Sequence, residues 1–214
     1  MDIEFHQEQP KPSLRPARTL MIDLLERALL LLVLGWFLVR FVPSFTQEPY
    51  NLLLAVSEVF TVLLVLIRKP GQMASTPYVW AVAVVGTCAP LFVMPEGAII
   101  IPPAIGAFFM FAGLLISLSA KLFLNRSFGI VAANRGVKSR GPYRLVRHPM
   151  YLGYFITQTS FLLLSMSIWN VAVYSIGWIA LLLRIDAEEA FLSKDAQYRN
   201  YAQAVRYRLI PGIC

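Results

Sequence analysis

Residues 147–184 read RHPMYLGYFITQTSFLLLSMSIWNVAVYSIGWIALLLR, a short basic motif that runs directly into a long apolar stretch. A helix needs about 20 apolar residues to cross the hydrocarbon core, with a range of roughly 17 to 25. Residues 150–184 are therefore too many for one helix. The stretch predicts a membrane hairpin of two helices, with its turn near Ser167-Ile168-Trp169-Asn170.

The composition of the whole chain extends this prediction to a membrane domain. Of the 214 residues, 57% are hydrophobic and only 14% are charged, whereas soluble domains carry about 25% charged residues. We expect one membrane domain over residues 21–214, with an all-α fold of about six transmembrane helices, five being possible. The first four spans, within 24–120, are predicted at 24–42, 51–67, 79–94 and 98–120.

The loop charges predict the orientation of this domain. The segment 121–148 contains seven Lys or Arg residues and no acid, whereas the loops 43–50 and 95–97 contain no Lys or Arg. Because basic loops stay in the cytosol, both termini are predicted to be cytosolic. Residues 1–20 are polar and contain three prolines, which is typical of a disordered tail. The net charge of +7 is thereby explained by topology, not by nucleic-acid binding.

The residues before the hairpin combine a turn with a helix start. Gly141-Pro142 favours a turn, and Pro149 suits the first position of a helix, which places His148 at the N-cap. The positive end of the helix dipole would then lie beside Arg147 and His148, a natural site for a carboxylate or phosphate. The alternative is that Arg147 only anchors the membrane boundary and His148 only caps the helix.

A second polar group follows the hairpin. Glu188 and Glu189 lie at the end of the last predicted span, and adjacent helical residues point in different directions from the axis. One carboxylate could therefore face a site while the other faces water or an arginine. A C-terminal amphipathic helix is predicted from Phe191 to about Arg208, with Tyr198 and Tyr201 on one face.

Together these residues resemble a known family. The pattern Gly-Pro-Tyr-Arg-x-Val-Arg-His-Pro-x-Tyr-x-Gly, then a hydrophobic hairpin, Glu-Glu and Tyr-x-x-Tyr, is similar to the integral-membrane methyltransferases over residues 136–211. That superfamily includes isoprenylcysteine carboxyl methyltransferases and phospholipid N-methyltransferases. The resemblance implies that the C-terminal region 121–214 binds S-adenosylmethionine, which yields S-adenosylhomocysteine. It also implies a lipophilic acceptor reached from the bilayer, either an isoprenylcysteine-type carboxylate or a phospholipid amine.

The resemblance also implies roles for individual residues. Catalytic roles fall to Arg147, Glu188 and Glu189. The residues expected to bind the cofactor are Tyr143, Arg147, His148, Pro149, Tyr151, Gly153, Glu188, Glu189, Tyr198 and Tyr201.

Two other interpretations compete with the methyltransferase. An NADPH-dependent reductase of sterol type has a similar C-terminal site, but such proteins usually carry Asn where this chain has Met150. A non-catalytic membrane scaffold is the third interpretation. The scaffold is disfavoured because the chain carries the complete set of motif residues, namely Arg147, His148, Tyr151, Gly153, Glu188 and Glu189.

Three residues outside the motif are predicted to face the substrate. Glu58 lies within the second span, where an ionised carboxylate costs roughly 2.5–3.5 kcal/mol on insertion scales; it is protonated, paired, or lines a polar cavity. Gly113 belongs to a face of small residues that either packs closely on another helix or leaves a groove for a lipid tail. Asn125 follows the fourth span. One histidine outside the tail, with no Cys/His cluster nearby, predicts no metal site.

Overall fold

The described part of the chain is mostly helical, which confirms the all-α membrane bundle. A computed structural model describes residues 17–67, 72–73, 77–124, 133–134 and 140–212. Strands β1 (Gln72–Met73) and β2 (Ala133–Asn134) form a short antiparallel pair in which Gln72 lies opposite Asn134. Within these described residues, three short 3-10 helices cover Val42–Thr46, Ala89–Phe92 and Gly141–Arg144. The α-helices of the described ranges are α1 (Ala17–Phe41), α2 (Asn51–Leu66), α3 (Pro77–Cys88), α4 (Pro103–Leu124), α5 (Pro149–Leu164), α6 (Ile168–Leu192) and α7 (Ala196–Ala204).

Three described segments are long and apolar enough to cross a membrane, namely Leu24–Thr46, α4 and α6. Two shorter apolar helical segments, Asn51–Leu66 and Pro77–Phe92, correspond to the second and third predicted spans. Helix α5, with 16 residues, occupies the first half of the predicted hairpin. The chain is an integral membrane protein, while six complete crossings remain a prediction.

The predicted hairpin is present, but its turn comes earlier than expected. Helices α5 and α6 are joined by Ser165, Met166 and Ser167, and α6 already begins at Ile168. The Ser167 hydroxyl accepts a hydrogen bond from the Asn170 amide at 3.1 Å, so Ser167 acts as the N-cap. The fully buried Asn170 side chain donates to the Ser165 carbonyl at 2.7 Å and to the Met94 carbonyl at 2.9 Å. The turn is therefore held by the segment before α4.

Two predicted boundaries were wrong. The fourth span begins at Pro103 instead of residue 98, because Ala98 forms a two-bond bridge with Met166 at 2.8 and 2.9 Å and is extended. The disordered tail predicted for 1–20 does not reach residue 20, since residues 17–20 belong to α1. Residues 1–16 lie outside the described residues.

Helices α4 and α5 approach each other closely through glycines. A methyl group added at Gly113 would lie 2.8 Å from the Gly153 carbonyl oxygen and 2.8 Å from the Thr157 amide. At Gly153 it would lie 2.6 Å from the Gly113 carbonyl oxygen and 2.6 Å from the Ser117 amide. Small residues let backbones come this near in a membrane, so the small face of α4 packs on a helix and leaves no lipid groove at Gly113.

We expect Gly113→Ala to lower the thermal midpoint in detergent, because the new methyl group collides with rigid backbone; overpacking of this kind costs about 1–3 kcal/mol. Gly106→Ala should cost less, since the atoms nearest to its methyl group would belong to the flexible Leu164 side chain, at 2.6 Å, and not to backbone. Gly35→Ala is the control, with nothing within 4 Å. Equal midpoints for the three variants would contradict this account of the packing.

Candidate functional site

The site is built on the start of α5, which has the predicted form. Gly141 has a φ of +60°, a conformation that favours glycine, and it opens the 3-10 turn Gly141–Arg144. His148 is the N-cap of α5 and Pro149 is its first residue. Both are buried. The motif thus places Arg147 and His148 directly before the first residue of α5.

The carboxylate of Glu189 is the centre of a cluster of cations. Its Oε1 accepts from Arg147 Nε at 2.7 Å and lies 3.0 Å from His148 Nε2. Its Oε2 lies 2.9 Å from Arg208 Nε and 3.4 Å from Arg147 Nη2. The Arg147 and Glu189 side chains are only 12% and 13% exposed. Because water is largely excluded, the attraction within this pair is screened less than in a surface ion pair.

A C-terminal strap, residues Val205 to Arg208, lies across the start of α5. Arg147 Nη1 donates to the carbonyls of Val205 at 3.0 Å and Arg206 at 2.8 Å. The amides of Arg147 and His148 donate to the carbonyls of Tyr207 at 2.9 Å and Arg208 at 2.8 Å. The strap therefore occupies two of the amides nearest the loop, and Arg147 is engaged by Glu189 and by the strap together.

Glu188 points away from this cluster and toward the bundle. Tyr151, which is 2% exposed, donates its hydroxyl to Glu188 Oε2 at 2.9 Å. The Arg184 guanidinium carbon lies 5.5 Å from the centre of the Tyr151 ring, and its Nη1 donates to Thr87 Oγ1 at 3.1 Å. The two adjacent glutamates thus face different surroundings, which confirms the prediction that they point in different directions.

Three tyrosines line the region between α7 and the loop. The Tyr201 hydroxyl donates to the Tyr143 carbonyl at 2.8 Å, and burial raises the pKa of Tyr201 to about 12. Burial also raises the pKa of Tyr143 and of Tyr198 above the usual phenol range, so all three remain neutral donors at physiological pH. The buried Tyr198 hydroxyl has no hydrogen-bond partner among the described residues. A buried polar atom without a partner calls for an explanation.

An open cleft of about 630 Å³ adjoins Glu189 and Tyr198, within the size range of ligand pockets. It lies between the end of α6, α7 and the strap. Helix α7 is shorter than the predicted Phe191–Arg208, but it does bury Tyr198 and Tyr201 on one face, as predicted. The charged and aromatic side chains that line the cleft are Arg147, Asp186, Glu189, Tyr198, Arg199 and Arg208.

The structure brings together most of the predicted site residues, but not all of them. Gly153, which was expected to bind the cofactor, faces Gly113 and Ser117 of α4. Gly113 faces α5, and Glu58 lies deep in the bundle, 5% exposed. Asn125 lies outside the described residues.

Three charged residues that take part in polar contacts in the structure were not predicted from the sequence, namely Asp186, Arg208 and Lys121. Asp186 and Arg208 form an ion pair of 2.8 Å beside Glu189; the sequence indicated Arg208 only as the end of the amphipathic helix. Lys121 was assigned to a cytosolic loop, yet its side chain is 0% exposed. Its position one turn after Ser117, on the face of α4 that packs inward, was the available signal.

The comparison with known families fits this geometry. Residues 103–194 match the model of the isoprenylcysteine carboxyl methyltransferase family. This part, which is less than half of the chain, is similar to that family. The matched region begins with α4 and includes α5, His148, both glutamates and the whole of α6. The chain matches no curated protein and no solved structure.

The match starts earlier than the resemblance seen in the sequence, since it includes the whole of α4. It ends before α7, so Tyr198 and Tyr201 lie outside it.

We expect Glu189→Gln to loosen the strap, because a neutral amide no longer balances Arg147 and Arg208, and an uncompensated buried charge is costly. The Arg147 and His148 amides, which the strap protects, should then exchange with deuterium faster than in the wild type, as measured by mass spectrometry.

Asp186→Asn is the matched control. The Asp186 side chain is 61% exposed, and exposed pairs contribute about 1 kcal/mol or less, so exchange should stay at the wild-type rate. Identical exchange in Glu189→Gln and the wild type would show that Glu189 does not hold the strap.

Proposed function

We propose that the protein transfers a methyl group from S-adenosylmethionine, bound in the cleft beside Glu189, to a lipophilic acceptor that arrives from the bilayer. The observation that carries the proposal is the cleft itself. It joins both signs of charge to the Tyr198 side chain, whose hydroxyl has no partner among the described residues. It also lies directly beside the part of the chain that matches the model of a methyltransferase family.

The residues of the cleft fit the chemical groups of the cofactor. S-adenosylmethionine carries a carboxylate, an ammonium group, ribose hydroxyls and an adenine ring. Arg199 and Arg208 offer donors for the carboxylate, and Asp186 and Glu189 offer acceptors for the ammonium group or the hydroxyls. The Tyr198 ring can pack against adenine, and its hydroxyl offers a donor that the described residues leave unused.

When bound, the cofactor supplies a methyl carbon activated by the sulfonium; transfer forms a bond from acceptor oxygen or nitrogen to that carbon, and the C–S electron pair stays on sulfur. The chain contributes position and exclusion of water, which can supply much of the rate of such a displacement. In this proposal Arg147 and His148 orient Glu189, and Glu189 orients the ligand. Arg147 therefore acts through Glu189 and does not touch the acceptor.

The acceptor side of the site is assigned to Glu188, Tyr151 and Arg184. A carboxylate acceptor is already nucleophilic and needs no base, and the Arg184 guanidinium beside Tyr151 would orient it. An amine acceptor must first lose a proton, and Glu188 would take it. The cation at this position and the family match favour an isoprenylcysteine-type carboxylate over a phospholipid amine.

Calorimetric titration of the detergent-solubilised protein with S-adenosylhomocysteine tests the cofactor assignment, with NADPH as the parallel titrant. We expect micromolar binding of S-adenosylhomocysteine. His148→Ala and Glu189→Ala should each weaken it about tenfold or more, because each breaks a shielded polar cluster. Tyr198→Phe should weaken it by about three- to tenfold, the value of one hydrogen bond, without lowering the thermal midpoint.

Tyr78→Phe is the control, since Tyr78 is 55% exposed on α3. Unchanged affinity in His148→Ala, Glu189→Ala and Tyr198→Phe would reject the cleft as the cofactor site. Binding of NADPH alone would favour the reductase. After cofactor binding is established, labelled S-adenosylmethionine presented with a prenylcysteine or with phosphatidylethanolamine vesicles distinguishes the two acceptors.

The same proposal places both chain termini and the cleft in the cytosol, where the water-soluble cofactor is available. Reporter fusions at residue 1 and after residue 214 should both report the cytosolic side. Reporters on opposite sides would mean an odd number of crossings, which would remove one of the short helices from the set of spans.

A further inference from the structure

Lys121 is a cation enclosed by the helix bundle. It lies in the last turn of α4, yet its side chain is 0% exposed. Its Nζ donates to Thr61 Oγ1 at 2.8 Å and to the Ser57 carbonyl at 3.4 Å, and it lies 4.7 Å from the centre of the Tyr154 ring. A lysine so near the end of a span ordinarily extends to the headgroups. Contacts inside the bundle must therefore hold the Lys121 side chain inward.

Glu58 provides the opposite charge. It lies on α2 directly after Ser57, whose carbonyl accepts from Lys121, and it is 5% exposed. Charged side chains inside a membrane protein are rare and mark functional positions by default. An apolar pair of similar volume would fill the same space without desolvating two charges. Packing alone thus does not account for Lys121 and Glu58.

A continuous series of contacts leads from Lys121 to Glu188. The Tyr154 hydroxyl lies 3.3 Å from Thr61 Oγ1, the same atom that accepts from Lys121. The Tyr154 ring lies 6.2 Å from the ring of Tyr151, one turn nearer the site along α5. Tyr151 in turn donates to Glu188 at 2.9 Å.

We propose that Lys121, with Glu58 as its counter-ion, is a positioning residue for the reaction. It fixes Tyr154, and through Tyr154 it keeps Tyr151 in the orientation that presents Glu188 to the acceptor. The inference rests on the proposed methyl transfer beside Glu188, but the orientation of the two tyrosines is a property of the protein without ligands.

The physical reason is that the Tyr154 ring is held at two points. The ammonium group over its face contributes a cation–π attraction that grows when water is excluded, and Thr61 holds the hydroxyl. Without Lys121, the ring loses the cation, and Thr61 Oγ1 loses one of the groups that hydrogen-bond to it. Tyr151 then packs against a less constrained neighbour, and its bond to Glu188 is no longer held in one geometry.

Four variants separate this role from simple packing. Lys121→Met keeps the length of the side chain and removes the charge. Lys121→Arg keeps a cation that can donate to Thr61 and lie over Tyr154. Lys194→Met removes an exposed lysine that has no part in these contacts. Glu58→Gln combined with Lys121→Met removes both charges, so the test stands even if an unpaired Glu58 prevents Lys121→Met from folding.

Initial rates are measured with labelled S-adenosylmethionine and an N-acetyl-S-prenylcysteine. Lys121→Met and the double variant should lower kcat by between about 10- and 100-fold, the effect of a displacement near 1 Å at the reacting groups. The affinity for S-adenosylhomocysteine should be unchanged, and Lys121→Arg should restore part of kcat. An unchanged kcat per folded protein in Lys121→Met would overturn the proposal, whatever the change in thermal midpoint.

A second readout needs no turnover. In protein labelled with ring-13C tyrosine, the Tyr151 and Tyr154 resonances, assigned with Tyr→Phe variants, should both shift in Lys121→Met and stay in place in Lys194→Met. A Tyr151 resonance at its wild-type position in Lys121→Met would also overturn the proposal. Absence of S-adenosylhomocysteine binding and of methyl transfer in the wild type would instead reject the proposed function, and the tyrosine spectra would still decide the positioning role.

Discussion

The ion cluster at Glu189 is the interaction on which the C-terminal region depends. One carboxylate at the end of α6 receives Arg147 and His148 from the start of α5 and Arg208 from the strap. Three segments that are distant in the chain thus meet at a single side chain. Because this side chain is 13% exposed, the attraction is only weakly screened by water. The wall of the cleft and the position of α7 both follow from it.

Glu188, next to Glu189 in the chain, explains how the end of α6 can face both the cleft and the interior of the bundle. Successive residues of a helix are rotated by about 100°, so Glu188 turns toward Tyr151 and the bundle while Glu189 turns toward the cleft. In the proposed reaction the polar cofactor lies on the side of Glu189 and the lipophilic acceptor on the side of Glu188. Their meeting point is then set by the end of α6, which belongs to the matched family region.

Much of this arrangement could be read from the sequence, because it follows local rules. The hairpin follows from the length of an apolar run, and the capped start of α5 follows from His148-Pro149. The divergence of the two glutamates follows from helical geometry. The turn was misplaced by two residues at its start and three at its end, because Asn170, seen only as a turn residue, is bonded to Ser165 and to Met94.

What the sequence by itself determined is the membrane class, the helical order and the set of polar residues near the last span, since hydropathy and periodicity act over a few residues. Only the tertiary structure decided the partners of those residues. Arg147 binds Glu189 at a separation of 42 residues, and Lys121 binds Thr61 at a separation of 60. No local pattern encodes such pairs, because the direction of a charged side chain depends on which helices surround it. The inward lysine and the strap over α5 are therefore properties of the packed bundle.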